Sequence, residues 1–406
     1  MRALEFPPFW ESLLKRYVKQ TFYPGTRHEG HAEGDQFTEK DYRFFAKGIE
    51  ALNLSFTRER SSLPKNYFNQ KEYRSGYLLY FLPVNALKVA TLLLQSINGG
   101  VEFITSEHDP SSPYTILDIG SGPGTGMLGT FLWLENLLKE RGKIPPLRWM
   151  LIDQNRHALQ DARSLHDEIV AHLRQQGLSI QSELQTIVAD LESGYLPRIP
   201  AADLMLALNV FSELPRGKRV TLVDRLLYKN PGAVLFLMEP ALQRTTRELM
   251  ELHDVILKAK IGTVLAPCLH QTDCPMLKAN RRDWCHTYLE WKRPFYIERF
   301  DRLVGIRKDY LKCSYLLLGG GKGSLLYAPT YSKETWRVVS GHLNSNGKSE
   351  ILLCGPGGLP DLLRTTRLDR DCSKVNRVFD EVQRGDLVVM SKTDRIKSET
   401  KLGFKP

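Results

Sequence analysis

From Thr115 onward, short apolar runs alternate with amphipathic helical segments, and this alternation restricts the fold more than any other feature of the chain. Each helical segment, such as TGMLGTFLWLENLLKE, repeats apolar residues at the period of a helix. Strands that alternate with helices form parallel sheets covered by helices on both faces. We therefore predict an α/β fold on five strands, which correspond to the runs TILDIG, RWMLID, LQTIVA, DLMLALNV and AVLFLMEP.

The regions on either side of this alternation have different patterns. Residues 1–110 carry helical periodicity, as in FWESLLKRYVKQTF, whereas the apolar runs after Trp336 have no strong helix between them. The predicted organisation is a helical region at 1–110, an α/β domain at 111–330 with a cysteine-rich insertion at 262–293, a small β-rich module at 331–392 and a polar tail at 393–406.

A glycine-rich loop, LDIGSGPGTG, follows the first predicted strand. Glycine permits a sharp turn after the strand and lets the backbone approach a ligand at the N-terminus of the next helix. Several classes of dinucleotide- and nucleoside-binding enzymes use such a loop, so the loop alone leaves the cofactor open. Its candidate cofactor-binding residues are Gly120, Ser121, Gly122 and Gly124.

Acidic residues at the ends of three consecutive strands distinguish the cofactor classes. Asp118 precedes the loop, and Asp153 closes the second strand, where an acid can accept hydrogen bonds from ribose hydroxyls. Asp190 closes the third strand. This set resembles motif I and the following acids of class I S-adenosylmethionine (SAM)-dependent methyltransferases, which implies that Asp190 contacts the adenine. A Rossmann dehydrogenase is the main alternative.

The fourth predicted strand runs into ALNVFSELP. Methyltransferases place substrate-facing residues here, which correspond to Asn209, Ser212 and Glu213, and we include Asn209 in the candidate cofactor site. No residue is identified as a catalytic base. Methyl transfer from a sulfonium depends mostly on the alignment of the reactants, so the absence of a base does not exclude it.

Charge and hydropathy limit the partners and the location. The net charge of +10 favours a polyanionic partner such as RNA, although such a charge also serves solubility. The apolar run YLLYFLPVNALKVATLLL is interrupted by Pro83, Asn85 and Lys88, so we expect a buried helix pair and no membrane partner. The N-terminus resembles neither a signal peptide nor a transit peptide. We therefore expect a cytoplasmic (bacterial) protein, with a mitochondrial location as the alternative.

Basic residues are mixed with aromatic ones between Phe56 and Tyr77. This composition suits single-stranded RNA, because phosphates pair with the charges while bases stack on the rings. The alternative is a solvated helix face whose aromatic rings point into the core. The basic residues are Arg58, Arg60, Lys65, Lys71 and Arg74.

Three of the six cysteines lie in one segment, APCLHQTDCPMLKANRRDWCH. Cys268, Cys274 and Cys285 follow a C-x5-C-x10-C spacing, which differs from the paired C-x2-C of common zinc modules and from ferredoxin patterns. Cytoplasmic cysteines stay reduced and are more often metal ligands than disulfides. The spacing therefore predicts a metal site and leaves the metal open.

Several motifs occur together in the order found in one family. They are YLLYFLPVNALKVATLLL, LDIGSGPGTG, NVFSEL, MEPALQRTTRELM, APCLHQTDCPM, DWCH, SYLLLG, LLCGPGG and RGDL. In this respect the chain, from about Leu63 to Leu387, resembles the mitochondrial small-ribosomal-subunit methyltransferase-like assembly factors and their bacterial relatives. The resemblance implies a role in ribosome assembly or translation, with the small ribosomal subunit and its rRNA as partners.

The same resemblance implies a 4Fe-4S cluster held by Cys268, Cys274, Cys285 and Cys354. Zinc is the alternative, because four thiolates suit it nearly as well. Such a metal group would staple the β-rich module to the α/β domain. Relatives usually have a Cys-Pro-His sequence, whereas this chain has Leu269 after Cys268.

The remaining cysteines and the nearby histidines have other expected roles. Cys313 is expected to be a buried apolar residue, and Cys372 to have no role in the site. His270 and His286 are candidates for metal ligands, hydrogen-bond donors, phosphate contacts or purely structural residues.

The leading hypothesis is a SAM-binding methyltransferase-like protein that acts on small-subunit rRNA or its precursor particle. One alternative is a non-catalytic RNA-binding assembly factor with a vestigial SAM pocket. Another is a zinc-stapled methyltransferase of small molecules. The sequence predicts no oligomeric state. The basic residues predicted to form an rRNA-docking face are Lys278, Arg281, Arg282, Lys292 and Arg293.

Overall fold

The computed structural model describes residues 4–23, 36–57, 67–104, 108–109, 111–191, 201–320, 330–357 and 362–405. The chain divides into two compact units. Unit 1 comprises Met1–Leu94, Glu107–Ile199 and Glu290–Leu311, and unit 2 comprises Gln95–Ser106, Pro200–Leu289 and Lys312–Pro406. Each unit therefore combines a part of the predicted α/β domain with regions that flank it in the sequence.

The helices alternate with strands in the middle of the chain, as the sequence predicts. In chain order they are α1 (Pro8–Phe22), α2 (Glu39–Thr57), α3 (Lys71–Gly76), α4 (Leu82–Asn98), α5 (Thr125–Arg141), α6 (Arg156–Gln175), α7 (Arg216–Lys229), α8 (Gln243–Lys258), α9 (Pro275–Ala279), α10 (Phe295–Val304) and α11 (Val378–Glu381). Single turns of other helix types are Tyr67–Asn69, Tyr77–Phe81 and Asp369–Asp371.

The strands include all five that the sequence predicts. In chain order they are β1 (Leu4–Glu5), β2 (Tyr114–Ile119), β3 (Leu147–Asp153), β4 (Ser182–Val188), β5 (Leu204–Leu208), β6 (Val234–Pro240), β7 (Gly262–Ala266), β8 (Thr287–Leu289), β9 (Trp291–Lys292), β10 (Leu311–Gly320), β11 (Thr335–Val338), β12 (Leu343–Ser345), β13 (Lys348–Cys354), β14 (Leu362–Leu368), β15 (Leu387–Val389), β16 (Arg395–Ile396) and β17 (Gly403–Phe404).

Unit 1 contains a parallel sheet in the order β4-β3-β2. Every residue of β2 is buried, as expected for a parallel strand that is covered on both faces. The following helix α6 begins at Asn155, whose side-chain oxygen accepts the N–H groups of His157 and Ala158 and caps the helix. This is the 3-2-1 half of a doubly wound fold.

The apolar run near residue 80 forms one helix, so the expected helix pair is wrong. The helix extends from Lys71 to Asn98 and contains a π-helical turn at Tyr77–Phe81. By length and composition it is able to cross a membrane, yet 78% of its most apolar window is buried inside the protein. The core helix of a globular protein passes the same test, so this feature is weak evidence for a membrane span.

Unit 2 contains the other strands of the α/β fold, in the order β5-β6-β10-β7. Strands β5 and β6 are parallel, whereas β10 is antiparallel to both β6 and β7, between which it lies. The final strand is thus inserted in reverse between two strands that share a direction. Together with the order β4-β3-β2 in unit 1, this arrangement confirms the predicted class I methyltransferase Rossmann-like fold.

The β-rich C-terminal region of unit 2 forms a sheet of its own, in the order β16-β14-β13-β11-β15-β17, with β12 beside β13. Its core is apolar and includes Trp336, Ile351, Phe379 and Val388. Residues 393–406, expected to be a polar tail, supply two of the strands, because β16 pairs with β14 and β17 with β15. The edge pairing uses backbone groups, which a polar composition does not reveal.

Candidate cofactor and metal sites

The glycine loop between β2 and α5 adopts left-handed backbone conformations at three of the predicted positions. The φ angles are 63° at Gly120, 52° at Gly122 and 86° at Gly124. A Cβ atom at Gly124 would lie 2.9 Å from Met127 Cε and 3.2 Å from Ala162 Cβ. The loop therefore requires glycine for both conformation and space. Ser121 is buried, and its N–H donates to Ile152 O.

Asp118 lies beneath this loop. Its side chain is 1% exposed, and its carboxylate accepts backbone N–H groups from Gly126 and Met127 in the first turn of α5. Burial, and then the neighbouring Asp153 carboxylate, raise the pKa of Asp118 to about 8. The sequence placed Asp118 in the cofactor site, and its contacts make it a support for the start of the helix.

Asp153 supports the loop from the end of β3. Its Oδ2 accepts the N–H of Gly122 at 2.8 Å, and its Oδ1 accepts the N–H of Asn155 at 2.8 Å. Burial raises the pKa of Asp153, whereas these hydrogen bonds act in the opposite direction. The two oxygens retain further lone pairs for ribose hydroxyls. Asp190 follows β4 and is exposed to solvent.

Sequence reasoning missed a group of side chains from the N-terminal region that packs beside the loop. A Cβ atom at Gly122 would lie 3.4 Å from the Phe68 ring, and Tyr77 Oη shares a 3.1 Å hydrogen bond with Thr125 Oγ1. Asn155 Nδ2 also donates to Asn69 Oδ1 at 2.8 Å. The available signal was the aromatic character of YFNQKEYRSGY, which we instead considered as an RNA-binding pattern.

The same region therefore favours a structural role for the aromatic residues between Phe56 and Tyr77. The Phe56 ring packs at 6.0 Å from the Tyr67 ring and at 5.1 Å from the Phe81 ring. Arg74 is buried and forms a 2.8 Å ion pair with Asp161, so it is not available to a phosphate. Arg58, Arg60 and Lys65 lie outside the described residues.

Asn209 belongs to unit 2, where it follows β5. Its φ angle of 59° is rare for a residue with a side chain, and its N–H donates to Met238 O at 2.7 Å. Non-glycine residues in this conformation cluster at functional sites, because the surrounding structure must compensate for the strain. The turn after β5 is fixed further by Glu239, whose Oε1 accepts the N–H of Phe211 at 2.9 Å.

All four predicted cysteine ligands line one cavity in unit 2. The cavity has a volume of about 50 Å³, and its wall includes Cys268, Cys274, Cys285 and Cys354. We name this space the cysteine cavity. Cys354 comes from the end of β13, whereas the others follow β7, so the fold brings together residues far apart in the sequence. Among the described residues, no group of three or more histidine, cysteine or acidic side chains is arranged around a common metal position.

The surroundings of the thiols disfavour free thiolates. Burial, followed by the proximity of the other three thiols, raises the pKa of Cys268 well above its usual value. Burial raises the pKa of Cys274 to about 12 and also raises that of Cys285. Buried, mutually repelling thiolates need a compensating cation. Without a metal ion the cavity therefore holds neutral thiols.

Hydrogen bonds fix the backbone around the cysteine cavity. Asp254 Oδ1 accepts the N–H of Cys274 at 2.7 Å. Arg337 donates to Pro267 O and to Gly385 O, each at 2.7 Å, and so links the segment before Cys268 to the C-terminal sheet. Leu269, which departs from the family pattern, is buried in the wall of the cavity, so its apolar side chain fits there.

Comparison with known proteins followed from this geometry. The sequence matches, over residues 101–377, the family described as mitochondrial small ribosomal subunit Rsm22. The chain belongs to this family. Among curated proteins, no match is found.

Two solved structures illustrate what else this Rsm22 family member is similar to. Magnesium protoporphyrin IX methyltransferase (ChlM) from Synechocystis PCC 6803 with bound SAM is 10% identical, with a TM-score of 0.32, and the match covers 67% of this chain and 97% of that chain. A SAM-dependent methyltransferase from Leishmania major is 13% identical, with a TM-score of 0.31, and the match covers 68% and 82%. The fold assignment of the family member rests on its own strand order.

The two histidines of the family motif occupy different positions. His270 Nε2 lies 3.7 Å from Cys354 Sγ, within hydrogen-bonding distance for sulfur. His286 Nδ1 lies 3.0 Å from Trp284 O, and burial lowers the pKa of His286 to about 4, so its ring is neutral near pH 7. Both rings line the cysteine cavity. Cys313 is buried and outside the cavity wall, and Cys372 is exposed, as predicted.

The predicted basic face is divided between the units. Arg281 and Arg282 are exposed in unit 2 beside Lys278, which forms a 3.2 Å ion pair with Asp273. Arg293, in unit 1, pairs with Asp301 at 2.6 Å and is partly buried, so its charge is already neutralised. Lys292 pairs with Glu5 at 3.0 Å on the surface of unit 1. The residues that remain suited to phosphate contact are thus mainly those of unit 2.

Proposed function

We propose that this protein is a SAM-binding, methyltransferase-like factor that acts in small ribosomal subunit assembly or translation, binds rRNA and holds a metal group on four cysteines. The observation that carries the proposal is the membership of the Rsm22 family over residues 101–377, combined with a class I methyltransferase strand order. The family description supports a ribosome-associated location. The bacterial cytoplasm stays a prediction, with the mitochondrion as the alternative.

For SAM, we propose a site at the glycine loop of unit 1. The left-handed turns at Gly120 and Gly122 let the backbone come close to a ligand, and the Asp153 carboxylate lies directly against Gly122. Asp190 is exposed after the adjacent strand and suits contact with an adenine. Bound SAM would supply an activated methyl group, while these residues would bind and orient it. Asn209 is retained as a candidate contact from unit 2.

Calorimetric titration with SAM tests this site. We expect Asp190→Asn to weaken binding without changing stability, because the side chain is exposed. Exposed Asp167, on α6, gives a matched control, since Asp167→Asn should leave the affinity unchanged. Wild-type protein that binds no SAM would contradict the proposal.

For the metal, we propose Cys268, Cys274, Cys285 and Cys354 as ligands of a 4Fe-4S cluster, with zinc as the alternative. The donor set fits such a group, because four thiols share one buried cavity and their thiolates would require a cation. A buried nitrogen in the same wall, His253 Nε2, has no hydrogen-bond partner within the described part of the chain, as expected where a bound group supplies one. The bound group would supply cross-linking of the segment after β7 to β13.

Iron, acid-labile sulfide and zinc analysis of anaerobically purified protein tests the metal assignment. We expect about four irons and four sulfides for each chain in a 4Fe-4S protein. Stoichiometric zinc without sulfide would establish the alternative, and the absence of any metal would contradict both.

A non-catalytic role is the second candidate function. It is favoured by the contacts of the acids, because Asp118 is committed to the start of α5 and both Asp153 oxygens already accept backbone N–H groups. Such a protein would use the SAM pocket only for stability while its charged surfaces bind rRNA. Incubation of radiolabelled SAM with assembling small subunits distinguishes the two functions. Transfer of label to rRNA supports the enzyme, and SAM binding without transfer supports the non-catalytic factor.

A further inference from the structure

His253 has an unusual environment in the wall of the cysteine cavity. The residue lies in α8 and is 2% exposed. Its Nδ1 is 2.9 Å from Asp254 Oδ1, whereas its Nε2 is fully buried and has no hydrogen-bond partner among residues 4–405 that are described. A buried polar atom without a partner lowers stability, so such atoms are rare in folded proteins. The observation requires an explanation.

A second histidine in the same chain shows how such a ring is normally satisfied. His166 in α6 is also buried, is also followed by an aspartate and also lies 2.9 Å from it, between Nδ1 and Asp167 Oδ1. Its Nε2, however, is 2.9 Å from Ser182 Oγ. The difference between the two rings is therefore confined to the partner of Nε2. For His253 that partner is to be sought in the cysteine cavity.

Asp254 connects His253 to the metal ligands. The same oxygen, Oδ1, that lies beside His253 Nδ1 accepts the backbone N–H of Cys274 at 2.7 Å. One carboxylate oxygen thus fixes both the imidazole ring and a proposed ligand. Residues that orient a metal site in this way are typically hydrogen-bonded carboxylates and histidines.

The cysteine cavity also contains a histidine already in contact with sulfur. His270 Nε2 lies 3.7 Å from Cys354 Sγ, and its ring centroid lies 6.0 Å from that of His253. Thiolate ligands around a metal group are acceptors, and hydrogen bonds to charged acceptors are stronger than neutral ones. A ring nitrogen that bears hydrogen is therefore the complementary group for this cavity.

We propose that His253 donates a hydrogen bond from Nε2 to a sulfur atom of the metal group, and that Asp254 is the positioning residue that holds the ring. In the imidazolium form both ring nitrogens are donors, so Asp254 accepts from Nδ1 while sulfur accepts from Nε2. This inference rests on the proposed metal site. It assigns to His253 a tuning role, since hydrogen bonds to sulfur influence the reduction potential of iron-sulfur groups.

The test uses the full chain, purified anaerobically and reduced in D2O, with histidine labelled by nitrogen-15. Pulsed electron paramagnetic resonance of the wild type is expected to show a nitrogen-15 coupling and an exchangeable deuteron that His253→Phe abolishes. The midpoint potential is expected to become more negative in His253→Phe, because a donor that stabilises the reduced, more negative state is lost. His166→Phe is the matched control and should change neither signal.

The outcomes separate this inference from the metal proposal. Wild-type protein without iron and sulfide contradicts the metal proposal itself. Wild-type protein with a cluster but no coupled histidine nitrogen overturns the role of His253, even if His253→Phe fails to fold. Signals and potential that are the same in His253→Phe and wild type also overturn it. Loss of both in His253→Phe but not in His166→Phe supports it.

Discussion

Asp153 Oδ2 accepts the backbone N–H of Gly122 at 2.8 Å, so the carboxylate that ends β3 holds the loop that follows β2. The other oxygen of the same carboxylate accepts the N–H of Asn155, which caps α6. One side chain therefore fixes the entrance to a helix and the proposed cofactor loop. The loop is organised before any ligand binds.

Replacing Asp153 by asparagine should weaken the fold and SAM binding together. Asparagine retains one acceptor oxygen, but its NH2 group would face one of the two backbone N–H donors. We expect a loss of about 1–3 kcal/mol in the free energy of unfolding, measured in urea. Calorimetry on the same protein should show weaker SAM binding. Unchanged stability would contradict the role assigned to this carboxylate.

Gly124→Ala should destabilise unit 1. Its φ angle of 86° is strained for alanine, and the added Cβ would lie 2.9 Å from Met127 Cε. We expect a loss of about 1–3 kcal/mol in the free energy of unfolding. Gly217→Ala, near the start of α7, is the control, because no atom lies within 4 Å of its added Cβ. A similar change in both variants would refute the steric explanation.

Stability should fall as pH rises through the titration of Asp118. A carboxyl whose folded pKa is raised stabilises the folded state most at low pH. This contribution is lost between the unfolded value of about 4 and the folded value of about 8. Urea unfolding at several pH values should therefore show a decline that Asp118→Asn lacks. Asp167→Asn, an exposed substitution, should retain the decline.

Cys268→Ser should remove the metal, whereas Cys372→Ser should not. Cys268 lies in the wall of the cysteine cavity, and Cys372 is exposed. Thermal unfolding of Cys268→Ser should also occur at a lower temperature, because metal binding contributes to the stability of the folded state. Iron, sulfide and zinc analysis checks the first expectation. Full metal content in Cys268→Ser would exclude this residue from the ligand set.

RNA binding should depend on salt through the exposed arginines of unit 2. Each phosphate contact to a single strand contributes about 0.7 to the slope of log affinity against log salt. The double variant Arg281→Gln/Arg282→Gln should therefore lower the slope by about 1.4. Arg302→Gln/Arg307→Gln removes two exposed arginines of unit 1 and serves as control. Equal slopes for all three proteins would argue against this surface.

Much of the α/β fold follows from local sequence patterns. The five apolar runs from TILDIG to AVLFLMEP form β2 to β6, because a buried parallel strand needs a continuous apolar segment. The glycines at 120, 122 and 124 adopt positive φ angles, as the loop motif predicts. The four cysteines were gathered by resemblance to a family, since their spacing alone left the metal and the last ligand open.

Features that depend on long-range pairing were not predictable in the same way. The polar composition of residues 393–406 concealed β16 and β17, since these strands are held by backbone pairing to β14 and β15. The interruptions at Pro83 and Asn85 suggested two helices, yet the surrounding core stabilises one.

The sequence by itself determined the order of strands and helices, the conformation of the glycine loop and the residue types that surround the metal site. Only the tertiary structure decided that Asp118 supports a helix, that Asp153 ties two segments together and that His253 Nε2 lacks a partner beside the thiols. The physical reason is that local patterns fix backbone conformation, whereas burial and hydrogen-bond partners arise from contacts between segments distant in sequence.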